Sequence, residues 1–357
     1  FNNFQQISNE QKIKIRNLIK SVSITDLTKE NDQILEVLIH IFLNDFSNNI
    51  LTYLTPILMA QFVMLNTQID AVIWGNPPIN SAKSLVNEFF FEKGVPVIGM
   101  QHGSAYGVQK RPLSHFDSDY SRCTHFFSYG FNEKDLRLIY PERNAGCYIF
   151  PVGTTKNIQK NIQKKRKKVD VLFPITNCIS FWKPVRRNPY LLAMYQEKII
   201  NKLEMLIDIQ TVIKPMPGYT DKNFAFSERI RKLSHSKVSS LPLYIFLEIY
   251  SPKMIIIESI STPLYEILDE DVEILALNDF VVPFSPEALN LLKKRAHVFD
   301  EIEELLKGID LWCEGKLPRL RDNRFYHKYI YRKNSKDVII SEIERIIEKS
   351  AVSNVLL

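Results

Sequence analysis

The sequence predicts an α/β protein of two Rossmann-like domains, preceded by a helical segment and followed by C-terminal helices. Three observations carry this reading. The chain has 357 residues, enough for about two domains of ordinary size. Short apolar runs alternate with helix-period segments in two successive blocks, the order that builds a parallel sheet. A lysine-rich, glycine-free stretch over residues 156–168 separates the blocks.

Residues 1–66 read as helices, with Ile13, Ile15, Leu18 and Ile19, then Ile34, Leu35, Leu38, Ile39 and Phe42, at three- and four-residue spacing. The most apolar stretch, Ile50 to Leu65, carries Thr52, Thr55, Pro56 and Gln61, so it reads as a buried helix and not as a membrane span. The first block then runs strand Ile69 to Trp74, helix Ser81 to Lys93, strand Val95 to Met100, strand His125 to Tyr129, helix Glu133 to Tyr140 and strand Cys147 to Val152. The second runs strand Val169 to Phe173, helix Pro189 to Asp208, strand Thr211 to Ile213, helix Asn223 to Leu233, strand Met254 to Ile257, helix Pro263 to Leu268 and strand Glu273 to Ala276. From Glu301 onward the pattern is helical. The expected division is 1–155, a basic linker 156–168, 169–305, and C-terminal helices 306–357. The first block has fewer strands than a full doubly wound unit: either its first strands precede Phe1 or the helical segment replaces them. A chain opening on Phe1 without a leader-like segment reads as part of a longer protein.

Composition excludes several classes. The 22 Phe and 15 Tyr argue against disorder, and four Cys (Cys123, Cys147, Cys178, Cys313) without CxxC spacing argue for a reducing compartment over a disulfide scaffold. The formal charge of +6 hides an uneven distribution. Lys156 to Lys168 contributes seven basic residues and no acid, and without it the net charge is −1. Lys316 to Lys336 adds eight basic residues against Asp322, and without both segments the body carries −8. Such runs read as solvated linkers or as surfaces attracted to phosphates or to an anionic membrane. A nucleic-acid partner is not expected, because aromatic and basic residues are not interleaved.

The most distinctive motif is Val95-Pro-Val-Ile-Gly-Met-Gln-His-Gly-Ser-Ala-Tyr-Gly107, a strand running into a small-residue loop. Ligands of open α/β sheets bind beyond the carboxyl ends of strands, where Gln101, His102 and Gly103 fall. Only 11 Gly occur in the chain, so Gly99, Gly103 and Gly107 at four-residue intervals stand above background. No GxGxxG or GxxxxGK[ST] occurs, which sets aside nicotinamide chemistry and P-loop hydrolysis. In the second block, Glu258, Ser259, Ser261 and Thr262 follow an apolar strand and open a helix at Pro263, with Glu266 near the capping-box position. Hydroxyls and N–H groups there suit a phosphate. Val212-Ile-Lys-Pro-Met-Pro-Gly218 presents Lys214 at the same sheet edge from a rigid turn. Asp117-Ser118-Asp119 matches a metal-binding DxD in form but lacks the hydrophobic strand that such a motif closes, so no metal is expected. His115, Asp117 and Asp119 are acid, base or nucleophile candidates beside His102.

Gln101-His102-Gly103 with Tyr106-Gly107, Ser128-Tyr129-Gly130, and Ser261-Thr262-Pro263-Leu264-Tyr265-Glu266 resemble bacterial surface-carbohydrate transferases of the GT-B fold, over residues 69–335. That group includes relatives of the Kdo and nonulosonate transferases of capsule and O-antigen synthesis. The resemblance implies two domains facing across a cleft, with the donor nucleotide held by the C-terminal one and a C-terminal helix crossing back. It implies transfer of a sugar from a nucleotide donor, of CMP type, to a bacterial glycan or lipid-linked glycan, without a further cofactor, in the cytoplasm or at the inner face of the membrane. Lys214, Ser259, Ser261 and Thr262 would hold the phosphate, Glu258 or Glu266 the ribose or base, and His102 with Asp117 or Asp119 would act from the opposing face. Many such enzymes carry Lys-Pro-His-Pro where this chain has Lys214-Pro215-Met216-Pro217. A teichoic-acid-type polyol-phosphate transferase using a CDP-alcohol, a non-hydrolysing sugar-nucleotide epimerase and a non-enzymatic binding module are the alternatives.

Overall fold

The computed structural model describes residues 55–75, 81–103, 106–109, 119–141, 146–154, 166–175, 189–215, 232–278 and 284–355. The helices expected over residues 13–42 and most of the helix expected at Asn223–Leu233 lie outside them, as do His115 and Asp117. The chain divides into two compact units, Phe1–Val72 with Pro78–Val95, and Ile73–Pro77 with Pro96–Leu357. In the first, α1 covers residues 55–66 and α2 covers Ser81–Glu92. The expectation that the apolar stretch is buried is corrected in its described part: Leu58, Met59, Phe62 and Leu65 of α1 are exposed and only Ala60 is buried. Its apolar residues run round every side of the helix, so no single packing face can cover them.

β1 (Val72–Trp74), β2 (Val97–Met100), β3 (His125–Ser128) and β4 (Tyr148–Pro151) form a four-stranded sheet in the order β1-β2-β3-β4, all of it but Val72 in the second unit. β2, β3 and β4 run parallel, with Gly99 opposite Phe126 and Phe127 opposite Phe150. Helix α3 (Glu133–Ile139) starts in a full capping box, Asn132 accepting from the Asp135 N–H and Asp135 accepting in return.

The larger sheet contains β5 (Lys167–Pro174), β6 (Thr211–Lys214), β7 (Lys237–Val238), β8 (Tyr250–Ile257), β9 (Glu273–Leu277) and β10 (His297–Phe299) in the order β10-β9-β8-β5-β6-β7, all parallel. Counted from its first strand this is the doubly wound 3-2-1-4-5-6 arrangement, whose order reverses between β5 and β8. Strands buried on both faces need continuous apolar sequence, which Met254–Ile257 and Ile274–Leu277 supply. Helices α4 (Pro189–Glu204) and α8 (Ile302–Cys313) cover one face through Ile199, Leu203, Leu305 and Ile309. Helices α5 (Leu243–Ile249), α6 (Thr262–Ile267) and α7 (Pro286–Leu292) cover the other through Phe246, Leu264, Ala288 and Leu292.

Two expected boundaries shift. Lys167 and Lys168 of the basic stretch belong to β5 and pair with Tyr250 and Ser251, so the strand begins before 169. The division expected at 305/306 falls inside α8, because Ile302, Leu305 and Ile309 are one face of a helix packed on the sheet. β7, α5, α7 and β10 were not expected from sequence: the strands are too short to show a period, and the helices are seven residues each.

The two sheets are tied together at two places, and the C-terminal helix packs on the first sheet. Val108, fully buried, joins the core of the larger sheet; its carbonyl accepts from Ser285 N–H at 2.7 Å, and Gln109 bridges to Phe284. Helix α9 (Arg324–Tyr329) buries Phe325 and Tyr329 in that same core, and the chain then returns to the first sheet, where Thr154 N–H donates to the Ile330 carbonyl at 3.0 Å. Helix α10 (Ser335–Val355) lays the Arg345 guanidinium 5.1 Å from the Phe150 ring centre. The return passes so close to Gly130 that a Cβ there would lie 2.1 Å from the Lys328 carbonyl oxygen.

Arg295 is buried at 1% exposure and donates to the carbonyls of Leu268 (2.8 Å), Glu270 (2.5 Å) and Val272 (3.1 Å), holding the turn from α6 into β9. Burial pulls its pKa down to about 10, so it stays charged at neutral pH. Arg295→Met keeps the packing length and orphans these acceptors, and we expect a loss of about 3 kcal/mol or more in urea denaturation. At Gly107 (φ +69°) an added Cβ would sit 2.2 Å from the Phe131 ring. Gly107→Ala is expected to lose about 1–3 kcal/mol from the backbone conformation alone, plus the collision; a melting temperature equal to the parent's would contradict the tight approach.

Candidate functional site

The carboxyl ends of β2 and β3 carry the first group of expected residues. Gln101 is buried and its amide is used at both ends: Nε2 donates to the Gly103 carbonyl at 2.7 Å, and Oε1 accepts from Tyr129 N–H at 2.7 Å. It therefore braces the loop against the neighbouring strand. His102 is exposed beside it. Its Nδ1 lies 2.9 Å from the Tyr106 hydroxyl, and that hydroxyl donates to Asp119 Oδ2 at 2.7 Å. Tyr106 is 3% exposed, stacked on Phe126 at 5.8 Å and edge-on to Tyr120. Burial first, and the Asp119 charge second, raise its pKa well above the usual phenol value. Asp119 is buried one residue before the short turn Tyr120–Arg122. His102 and Asp119 were expected from sequence; Tyr106, the link between them, was quoted only as part of the motif. Its signal was the four-residue offset from His102 inside a glycine-flanked loop.

The second group sits at the carboxyl ends of the larger sheet. Glu258 follows β8, next to the point where strand order reverses, with no exposed surface; its Oε1 accepts from Gln196 Nε2 of α4 at 2.9 Å. Ser259 is buried beside it. Lys214 closes β6 and is buried at 3% exposure, its Nζ donating to the Pro215 carbonyl at 3.2 Å. Burial lowers its pKa, and the Glu266 charge opposes that shift. Ser261 is the N-cap of α6 by backbone conformation, but its side chain makes no capping hydrogen bond, and the third helical residue is Leu264. The expected capping box with Glu266 is therefore absent: Glu266 lies two residues beyond that position.

The two groups meet. A Cβ on Gly103 would lie 3.7 Å from Thr262 Oγ1, so the loop after β2 reaches the start of α6. The Glu266 charge also reaches Tyr129 at the end of β3. Strand ends of both sheets thus converge on one region holding His102, Gly103, Tyr129, Thr262, Glu266 and Lys214. Among the described residues no cluster of His, Cys, Asp or Glu is arranged to hold a metal ion. No helix among them is long and apolar enough to cross a membrane.

A family model described as LIC12162 family transferase matches residues 1–294. The chain belongs to this family of transferases. No curated protein matches it. Among solved structures, the transferase is similar to a putative UDP-N-acetylglucosamine 2-epimerase from Listeria monocytogenes (12% identity, 82% of this chain and 78% of that one, TM-score 0.51). It is also similar to an S. aureus MnaA–UDP complex (13%, 82% and 78%, 0.48) and to Acinetobacter baumannii MurG (10%, 82% and 78%, 0.45). At such identities the likeness is one of fold. The fold is the GT-B arrangement of two Rossmann-like halves.

The lysine supplies a pH test. A Lys whose native pKa is depressed binds fewer protons folded than unfolded, so its contribution to stability rises with pH between the depressed value and the ordinary 10.5. Compared with Lys214→Met, the parent should gain stability as pH climbs from neutrality towards 10.5, read by denaturant midpoints. Parallel pH profiles would contradict the buried amine.

Proposed function

We propose that this transferase moves a sugar from a CMP-activated donor to a bacterial surface glycan or lipid-linked glycan, as in Kdo or nonulosonate transfer for capsule or O-antigen. The observation that carries the reading is the convergence of an exposed His backed by a hydrogen-bonded Tyr and Asp on a strand-end crevice lined with hydroxyls and one lysine. Among the described residues at the carboxyl ends of β5, β6, β8 and β9 (Pro174, Ile175, Lys214, Pro215, Glu258, Ser259, Asn278), Lys214 is the sole cation, which suits one phosphate better than two. Helix α6 has only six residues and a correspondingly weak dipole, so Lys214 and the hydroxyls of Ser259, Ser261 and Thr262 bear the phosphate. Glu258, held by Gln196 at the switch point, suits ribose or base hydrogen bonds.

In this mechanism His102 takes the proton from the acceptor hydroxyl as that oxygen attacks the anomeric carbon, and the bond to phosphate breaks with Lys214 balancing the charge on the leaving group. Asp119 acts behind Tyr106 and not on the sugar, and Gln101 holds the loop. His115 and Asp117 lie outside the described residues and are assigned no step here. The membrane contact of this reading rests on the linker: in Lys316–Lys336, Lys316, Arg319, Arg321, Arg324 and Lys328 are ion-paired with Glu314, Glu273, Asp271, Asp322 and Glu287. A location at the inner membrane face follows from a lipid-linked acceptor.

Cytidine nucleotides are expected to raise the melting temperature, with about 2.7 kcal/mol of stabilisation at a ligand concentration a hundredfold above Kd. Ser261→Ala with Thr262→Val should abolish the shift, and His102→Ala should retain it while lowering transfer by about 10²–10⁴-fold. Stabilisation by uridine diphosphate sugars alone would overturn the donor assignment and favour the epimerase reading, and by cytidine diphosphate alcohols the polyol-phosphate one.

A further inference from the structure

We propose that Cys123 and Cys147 are an oxidation site, a dithiol that peroxide closes to a disulfide and thiol reductants reopen, and that closure loosens the turn Tyr120–Arg122 beneath the His102 loop. The inference goes beyond the transfer reaction, and its chemistry stands apart from it.

Strand register brings the two residues together. His125 lies opposite Tyr148, and Tyr148 N–H donates to the Thr124 carbonyl at 3.0 Å. One step back, Cys147 falls opposite Thr124, and Cys123, itself extended at φ −141° and ψ 157°, is its diagonal neighbour. With strands about 4.8 Å apart and a rise of about 3.3 Å per residue, the two Cα atoms are about 6 Å apart, inside the roughly 4.4–6.8 Å that a disulfide spans. The side chains also share a face. Phe126 pairs with Gly99 on one side and Ile149 on the other, and Cys147, two residues before Ile149, points to that same face. A Cβ on Gly99 would lie 3.2 Å from Cys123 Sγ, which puts this sulfur there too. The two thiols hydrogen-bond each other, and both act on the buried Tyr120 phenol.

The sulfurs differ in the way a peroxide reaction requires. Cys147 is half-buried, whereas Cys123 is 4% exposed. The hydrogen bond with Cys147 first, and burial second, raise the Cys123 pKa well above the usual thiol value, so Cys123 keeps its proton and is not the sulfur that meets peroxide first. Cys147 attacks as the thiolate: an S–O bond forms, the O–O bond breaks, and the departing hydroxide takes up a proton as water. Cys123 then attacks the sulfenic sulfur, the S–S bond forms, the S–O bond breaks, and the second water leaves with the Cys123 proton. Two thiols and one peroxide thus become one disulfide and two waters, the sulfurs oxidised and the peroxide oxygens reduced. In a reducing compartment the pair rests as thiols.

Closure reaches the site through the backbone. Cys123 Sγ donates to the Asp119 carbonyl at 3.2 Å and lies 3.7 Å from the Tyr120 carbonyl. A sulfur bonded to Cys147 has no proton to donate, so the turn loses these ties to β3. Asp119, whose side chain accepts from the Tyr106 hydroxyl at 2.7 Å, is thereby loosened under the loop, and transfer falls.

The test is a peptide map of the full chain, treated with hydrogen peroxide and digested without reductant. A Cys123–Cys147 linked peptide, lighter by two hydrogens than its parts, is expected in the parent. It should vanish with dithiothreitol and be missing from both Cys147→Ser and Cys123→Ala. Transfer by the parent should drop with peroxide and recover with dithiothreitol, while Cys147→Ser, with the basal turnover of the parent, should keep its rate. Peroxide that leaves Cys123 free, links Cys147 to Cys178 or Cys313, or carries Cys147 on to sulfinic acid overturns the dithiol. An equal loss of transfer in the parent and Cys147→Ser overturns its effect on the turn. The map needs neither donor nor acceptor, so it reads the same whether or not the transfer reading holds.

Discussion

The segment Tyr106–Gln109 is the constraint on which the rest of the second unit depends. Val108 sits in the core of the larger sheet, its carbonyl and Gln109 are bonded to Ser285 and Phe284, and the Tyr140 hydroxyl donates to the Gln109 carbonyl at 2.7 Å. Two residues before Val108, Tyr106 holds His102 and Asp119. One short stretch therefore docks the first sheet on the second and aims the histidine. A shift that loosened the docking would also move the imidazole, so stability and chemistry draw on the same hydrogen bonds. Gly107 is the joint between the two tasks: its positive φ turns the chain from the loop into the foreign core beneath Phe131.

The larger sheet contributes through its topology. Strand order reverses between β5 and β8, the helices that follow them lie on opposite faces, and Glu258 and Ser259 are buried at that switch point. Burying a carboxylate and a lysine at such a place is costly unless each has partners, and Gln196, Pro215 and Glu266 supply them. The C-terminal return through α9 and α10 closes the arrangement from the far side, with Gly130 and Gly153 admitting backbone and side chains that any larger residue would displace.

The charge pattern changes meaning in the folded chain. The eight basic residues of 316–336 looked like a surface for phosphates, yet Arg319 and Arg321 fold onto Asp271 and Glu273, and Lys328 onto Glu287. These acids stand far away in sequence, which is why a local count could not cancel them. The basic stretch after 156 likewise spends Arg166 on Glu270 and the Leu247 carbonyl.

By itself the sequence determined the elements whose signal is local. Long apolar strands such as Met254–Ile257, the Gln-His-Gly loop at a strand end and the position of Lys214 were all legible, because burial on both faces and turn chemistry leave their mark in adjacent residues. It also placed His102 and Asp119 in the candidate set. Only the tertiary structure decided the six-strand order with its short outer strands β7 and β10, the brace made by Gln101, the absence of a capping box at Ser261, and Tyr106 as the bridge between His102 and Asp119. Each of these depends on which distant residue arrives within about 3 Å of a polar atom. Spacing along the chain carries no such distance; packing sets it.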